Sequence, residues 1–150
     1  MLSRAIMHAD DGVDVIPLRS PTLPPAQHTN MVWVGQERRW IVDPAAHTAA
    51  EQERTLALVG AATDERPWAG VVLTHHHHDH IASARLLSEE LKVPVIAHRT
   101  TAELLARQIT IDETLEEGDV ISGGEGETDQ WRVLHTPGHA SGHIVLWEPV

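Results

Sequence analysis

The most constraining feature of this 150-residue sequence is the short apolar run Ala69-Gly70-Val71-Val72-Leu73-Thr74, which passes without a break into His75-His76-His77-His78-Asp79-His80. A run with no polar alternation reads as a strand covered on both faces. Such a strand needs a layer on each side of its sheet. Downstream, Ile81 to Leu91 places Leu86, Leu87 and Leu91 on one helical stripe. The histidines therefore occupy the turn from a buried strand into a helix. Alternate side chains of an extended segment point the same way, so His75 and His77 can converge on one ion. Asp79 and His80, where the chain turns, can face a second. Imidazole nitrogen and carboxylate oxygen suit Zn²⁺ and similar metals. An affinity tag would lie at a terminus, not between a strand and a helix, so a metal site is the expectation. His76 and His78 alternate away and are expected to be exposed or to support the ligands from behind.

The rest of the chain supplies the layers. Val13 to Leu18 reads as a strand, and Pro21, Pro24 and Pro25 enforce an extended loop. Thr29 to Gly35 and Trp40 to Val42 pair around a Gly35–Arg39 turn, and Asp43-Pro44 ends the second of them. A helix is expected from about His47 to Ala61, a strand over Val93 to Ala97, and a helix over Thr100 to Gln108. Short strands follow at Val120-Ile121, Trp131 to His135 and Ile144 to Trp147. The order predicts a single mixed α/β domain over 1–150, without internal repeat or linker.

Composition narrows the chemistry. There is no cysteine, which excludes a disulfide scaffold, a thiolate metal site and a cysteine nucleophile. Acidic residues outnumber Lys plus Arg 22 to 11, so no broad basic surface invites nucleic acid. Eight of those acids fall in the glycine-containing stretch Asp112 to Asp129, which reads as a solvated loop. No apolar run approaches the ~20 residues of a membrane helix. The start, from Met1-Leu2-Ser3-Arg4 through His8, lacks a signal-peptide core, and a cytoplasmic protein is the expectation.

Thr136-Pro137-Gly138-His139 gives the second signal. A histidine held in a Pro-Gly turn after a strand can project into a cleft, and beside the first motif His139 becomes the third imidazole for the first ion. His135 and His143 flank the same turn and read as structural supports. Ser141 lies close by, but no G-x-S-x-G elbow surrounds it.

His75-x-His77-x-Asp79-His80, the preceding Val71-Val72-Leu73-Thr74 and the later Thr136-Pro137-Gly138-His139 resemble the metallo-β-lactamase-fold hydrolases. The likeness runs from about Thr29 to Trp147. Leu115 to Ile121 and Trp131 to Leu134 match the family's approach to its third histidine. Among the branches, the sequence looks most like the β-lactamase-like protein 2 and glyoxalase II type. The resemblance implies an αβ/βα sandwich, here mainly its N-terminal half. It implies two divalent metal ions, zinc first with Fe or Mn as alternatives. His75, His77 and His139 would hold one, Asp79 and His80 the other, with Asp43 in a supporting place at a strand end. The implied activity is a metallo-hydrolase in which metal-bound hydroxide attacks an ester, thioester or similar acyl group, Asp79 orienting the nucleophile. A small-molecule substrate is expected. An endoribonuclease or phosphodiesterase acting on single-stranded RNA is the alternative, which the acidic balance weakens.

Two departures touch loop shape and helix packing: Ile81-Ala82-Ser83 stands where the family often has glycines, and Asp43-Pro44-Ala45-Ala46 where it often has Asp-x-Gly. The resemblance also implies a bridging aspartate and a last histidine further on. Neither follows His143, so the domain is expected to be incomplete at its C-terminal end. A non-catalytic half-domain that binds metal or a partner is the reading from a different class. The strand around Val145 is expected to leave an unpaired edge that favours self-association.

Overall fold

The computed structural model describes residues 6–63 and 65–149. The expectations placed on Met1 to Arg4 and on Val150 lie outside the described residues. The chain runs β1 (Met7–Asp10), β2 (Val13–Arg19), β3 (His28–Val34), β4 (Arg39–Val42), α1 (Ala49–Thr63), β5 (Trp68–Leu73) and α2 (His78–Ile81). It continues with α3 (Ala84–Leu91), β6 (Val95–His98), α4 (Arg99–Leu105), β7 (Glu113–Leu115), β8 (Val120–Ser122), β9 (Gln130–His135) and β10 (Ile144–Trp147). Strands β1 to β7 form one sheet in sequence order, antiparallel up to the β3–β4 pair and parallel from β4 to β7. A smaller antiparallel sheet has the order β10-β9-β8.

The alternation of β5 explains why its sequence is apolar throughout. Val71 and Leu73 enter a core with Val59 of α1, Ala84 and Leu87 of α3, and Leu105 of α4. Val72, between them, enters a second core with Ile121, Trp131, Val133 and Ile144 of the small sheet. The large sheet is thus covered by helices on one face and by the small sheet on the other. Val71, Val72 and Leu73 are fully buried, each contributing about 1.5–3 kcal/mol. The strand that delivers the histidines is held from both sides.

The differences from expectation have local causes. The helix expected over Ile81 to Leu91 is two helices, α2 and α3, parted at Ser83. Ser83 donates both its backbone N–H and its hydroxyl to the Pro44 carbonyl, at 3.0 and 2.8 Å, which ties the break to the loop after β4. Strand β1 has no sequence signature because all four of its residues are exposed. β10 lies at the outer edge of its sheet, with Val145 and Trp147 exposed. Among the described residues no helix is long and apolar enough to cross a membrane.

Most acids of the acidic stretch are exposed, as its reading as a solvated loop expects, but three of its carboxylates are tied to the fold. Asp112 accepts the Val95 N–H at 2.8 Å, and Asp119 accepts that of Glu116 at 2.8 Å. Asp129 is buried at φ 59°, in the left-handed region. Its carboxylate accepts the Gln36 N–H at 2.6 Å and the Trp131 indole N–H at 3.2 Å. One side chain thus pins the β3–β4 turn to the small sheet. Asp129→Ala leaves the buried Trp131 indole N–H and the Gln36 N–H without this acceptor, at a backbone angle alanine disfavours, and urea denaturation is expected to show a loss of about 2–4 kcal/mol.

Candidate metal centre

The parallel strands β4 and β5 end side by side, and the centre is built on their carboxyl ends. β5 finishes at Leu73, and Thr74 leads directly into His75, which is 2% exposed. β4 finishes at Val42, and Asp43 follows in the left-handed region at φ 51°. Its backbone N–H donates to the Val72 carbonyl at 3.0 Å. That backbone turns the Asp43 carboxylate towards the neighbouring strand end. Oδ1 accepts the Thr74 N–H at 2.7 Å, and Oδ2 accepts the Thr74 hydroxyl at 2.6 Å and faces His80 Nδ1 at 2.8 Å.

Proton counting along this network fixes two imidazoles. The Thr74 hydroxyl gives its one proton to Asp43, so its oxygen can only accept from His75 Nδ1, 2.9 Å away. His75 is therefore the Nδ1–H tautomer, and its Nε2 carries a bare lone pair. That Nε2 is buried and has no hydrogen-bond partner. Likewise His80 donates Nδ1–H to the Asp43 carboxylate, leaving Nε2 turned away from it. A carboxylate behind an imidazole is the usual means of presenting the other ring nitrogen to a metal.

The remaining rings close around His75. Its centroid lies 4.7 Å from that of His77, 4.3 Å from His80, 5.1 Å from His139 and 5.1 Å from His143. One nitrogen from each of His75, His77 and His139 falls within a sphere where all lie inside 4.8 Å of one another. His77 Nδ1 and His139 Nε2 are 2.9 Å apart. Two lone pairs at that distance repel unless a proton or a cation lies between them. The nitrogens of a tetrahedral Zn site, at Zn–N of about 2.0–2.1 Å, stand ~3.3 Å apart. The orphaned His75 nitrogen and this contact both fit a metal ion.

Asp43, His75 and His80 form a second group of the same compactness. Both Asp43 oxygens are already engaged, however, so we assign Asp43 to holding His80 and Thr74 rather than to an ion. Asp79 stands 3.8 Å from His80 Nε2 through its Oδ2, close enough for the pair to share one ion. Of the sequence-expected residues, His75, His77 and His139 come together as one group, and His80 and Asp79 adjoin them. His78 is exposed and its ring contacts that of His47 at 5.5 Å. His135 stacks on His98. His143 faces His75 and accepts or shares a proton with the Thr136 hydroxyl at 2.8 Å. No metal-ligand spacing in the sequence marks Thr74. A polar residue closing an apolar strand one position before a candidate ligand is the signal that marks it.

Electrostatics match the geometry. Burial, then the neighbouring rings led by His80, lowers His75 to about 3, so it is neutral and ready to coordinate at pH 7. Burial also lowers His77, followed by the nearby His76 and His139. Burial works against protonation of His80, but the hydrogen bond and charge of Asp43, with Asp79, outweigh it and raise the value. Burial likewise works to raise Asp79, yet a hydrogen bond from Thr22 and the adjacent His80 hold its carboxyl below the ordinary range. His75, His77, His98 and His143 are all lowered, chiefly by burial. For each of them the unfolded chain binds protons first, so stability without metal is lost as pH falls below about 6.5. His80 has the opposite sign and contributes most below its unfolded value. Four lowered histidines stand against two raised groups, His80 and Glu148, and thermal melts of the metal-free chain are expected to fall between about pH 6.5 and 4.

The chain belongs to the metallo-beta-lactamase superfamily, whose sequence model matches residues 24–150. Within it, the similarity is to hydroxyacylglutathione hydrolases. The protein of that name from Hahella chejuensis is 32% identical over 123 residues, covering 80% of this chain and 42% of that protein. The one from Pectobacterium carotovorum subsp. carotovorum is 32% identical over 127 residues, covering 82% and 45%. The chain thus spans less than half the length of these relatives. Solved structures share the fold at lower identity. A metallo-beta-lactamase from Pontibacter korlensis has a TM-score of 0.75 at 20% identity, over 95% of this chain and 66% of that one. A beta-lactamase domain protein from Burkholderia ambifaria has a TM-score of 0.77 at 21% identity, over 97% and 51%.

Proposed function

We propose that this chain belongs to a metal-dependent hydrolase of thioesters or related small acyl esters. His75, His77 and His139 hold the first of two divalent ions, zinc in the simplest case, and Asp79 and His80 contribute to the second. One observation carries the reading: His75, whose Nε2 is buried and unpartnered, shares a single compact group of nitrogens with His77 and His139. A divalent ion at such a group makes water nucleophilic near neutral pH and polarises a carbonyl. The chain's own residues do the rest. Asp43 fixes the tautomer of His80 directly and that of His75 through Thr74. Asp79, held ionised, would accept a hydrogen bond from the attacking water and orient it. No side-chain nucleophile is needed, in keeping with the absence of cysteine.

The names of the relatives support a thioester substrate. The acidic surplus, 22 against 11, supports a small substrate over a long polyanion. The test is metal content by mass spectrometry together with thiol release from a hydroxyacylglutathione thioester, before and after chelation. Metal-dependent thiol release is the expected result. A chain that takes up no divalent ion sinks the reading as a whole. A loaded chain that releases no thiol removes the acyl substrate and keeps the metal centre.

A further inference from the structure

His139 poses a positioning problem: it is exposed on the loop between β9 and β10, with Thr136, Pro137 and Gly138 exposed around it. The loop closes on itself through Thr136 N–H to the His143 carbonyl at 2.8 Å, His143 N–H to the Ala140 carbonyl at 3.2 Å and His135 Nε2 to the Ser141 carbonyl at 2.9 Å. These bonds set the loop's shape but not its place relative to His75 and His77. Two attachments do that. On one side, the Ile144 N–H donates to the Thr74 carbonyl at 2.9 Å, one residue before His75.

The other attachment is to α4. Thr101 is fully buried, and its hydroxyl donates to the Gly142 carbonyl at 3.0 Å. Gly142 is pressed so closely on this helix that an added Cβ would lie 2.4 Å from the Thr101 hydroxyl oxygen and 2.6 Å from the Thr101 backbone nitrogen. Next to this contact, His98 at the end of β6 stacks on His135 at the end of β9, with centroids 4.1 Å apart and rings 13° from parallel. The His98 ring is fixed in turn, because its Nδ1 accepts the Thr100 N–H at 3.2 Å. The end of β6 and the first turn of α4 therefore grip the loop at its two shoulders, His135 and Gly142.

We propose that Thr101 is a positioning residue for the metal centre: its hydroxyl sets the register of the 136–143 loop on α4, and so places His139 Nε2 beside His77 Nδ1. The inference rests on the metal-centre reading above and adds to it a residue that no ligand spacing marks. Thr101→Val keeps the shape and branching of the side chain and removes the donor, leaving the Gly142 carbonyl unpaired. Thr101→Ser keeps the donor.

The experiment measures divalent-ion affinity by competition with a chelating dye, and the visible spectrum of the Co²⁺-loaded chain, for the parent and both variants. Thr101→Val is expected to bind 10–100-fold more weakly, the range for residues that orient ligands, with an altered Co²⁺ spectrum. Thr101→Ser is expected to restore both. A role confined to overall stability would lower the melting temperature and leave affinity and spectrum unchanged, which would overturn the inference. A metal-free measurement separates this from the reading beneath it. Proton–proton cross-relaxation between the His77 and His139 rings is expected in the parent and in Thr101→Ser, and lost in Thr101→Val. If that pattern holds while the parent binds no ion, the positioning role stands and the metal reading fails. If the ring contact persists in Thr101→Val, the positioning role fails whatever the parent binds.

Discussion

Replacing His75 by leucine is expected to weaken binding of the first ion by about a hundredfold or more, while leaving the metal-free chain at least as stable as the parent. The two halves of this result have separate causes. A structural zinc site is worth about 10–16 kcal/mol over four ligands, so one ligand carries roughly 3 kcal/mol of affinity. Without metal, His75 is a liability. Its Nε2 is buried with no partner, a state that costs about 1–3 kcal/mol, and burial holds the ring deprotonated at about 3. Leucine removes that unpaired atom from among the surrounding rings, and the Thr74 hydroxyl keeps its bond to Asp43. An ordinary core histidine would show the reverse, losing stability and leaving metal affinity untouched. Calorimetric melts with and without zinc read both quantities on one sample. A variant less stable than the parent without metal, yet equally stabilised by zinc, would remove His75 from the ligand set.

The place of His75 was legible in the sequence because a wholly apolar strand runs directly into the histidines. The run pointed to β5 and to a turn after it, but β5 ends at Leu73 and the chain bends at Thr74 and His75, so the turn rather than strand period brings the His75 and His77 rings together. His139 was legible because Pro137-Gly138 forces a turn after a strand. The apolar stripe of α3 and the β3–β4 pair followed from hydrophobic periodicity. What the sequence did not show depends on contacts between distant segments. The break at Ser83 comes from the carbonyl of Pro44, 39 residues away along the chain. The grip of Thr101 on Gly142 spans 41 residues. Asp129 looked like one more charge in an acidic, glycine-containing stretch, and only the approach of Gln36, 93 residues earlier, makes it a pin. β1 and β7 are too short and too exposed to leave a pattern. Asp43 lies between these cases: its position at a strand end was readable, but the left-handed backbone that aims its carboxylate was not.

That backbone makes Asp43 the site of the second large effect. Asp43→Asn keeps a residue type that tolerates φ 51°, so the strand end is expected to hold and the chemistry to change. The carboxylate accepts three hydrogen bonds, from Thr74 N–H, the Thr74 hydroxyl and His80 Nδ1. An asparagine has one acceptor oxygen and turns an NH₂ towards whichever donor remains. If the oxygen stays with Thr74 N–H, the amide NH₂ faces the Thr74 hydroxyl and His80 Nδ1, and each must either accept from it, sending its own proton elsewhere, or turn away. Released from donating to Asp43, the Thr74 hydroxyl can donate to His75 Nδ1 instead, which moves the His75 proton to Nε2 and blocks the lone pair that faces the ion. Supporting residues of this kind change metal affinity by about 10–100-fold, and here one substitution disturbs two imidazoles, so the upper end is expected. The pH response supplies an independent sign. Asp43 is what raises His80 above its ordinary value against the pull of burial. With the charge gone, burial prevails and His80 in Asp43→Asn should titrate below its value in the parent, read by the ring proton shifts of the metal-free chain. If His80 titrates unchanged, Asp43 does not hold the ring, and the tautomer argument for both histidines falls with it.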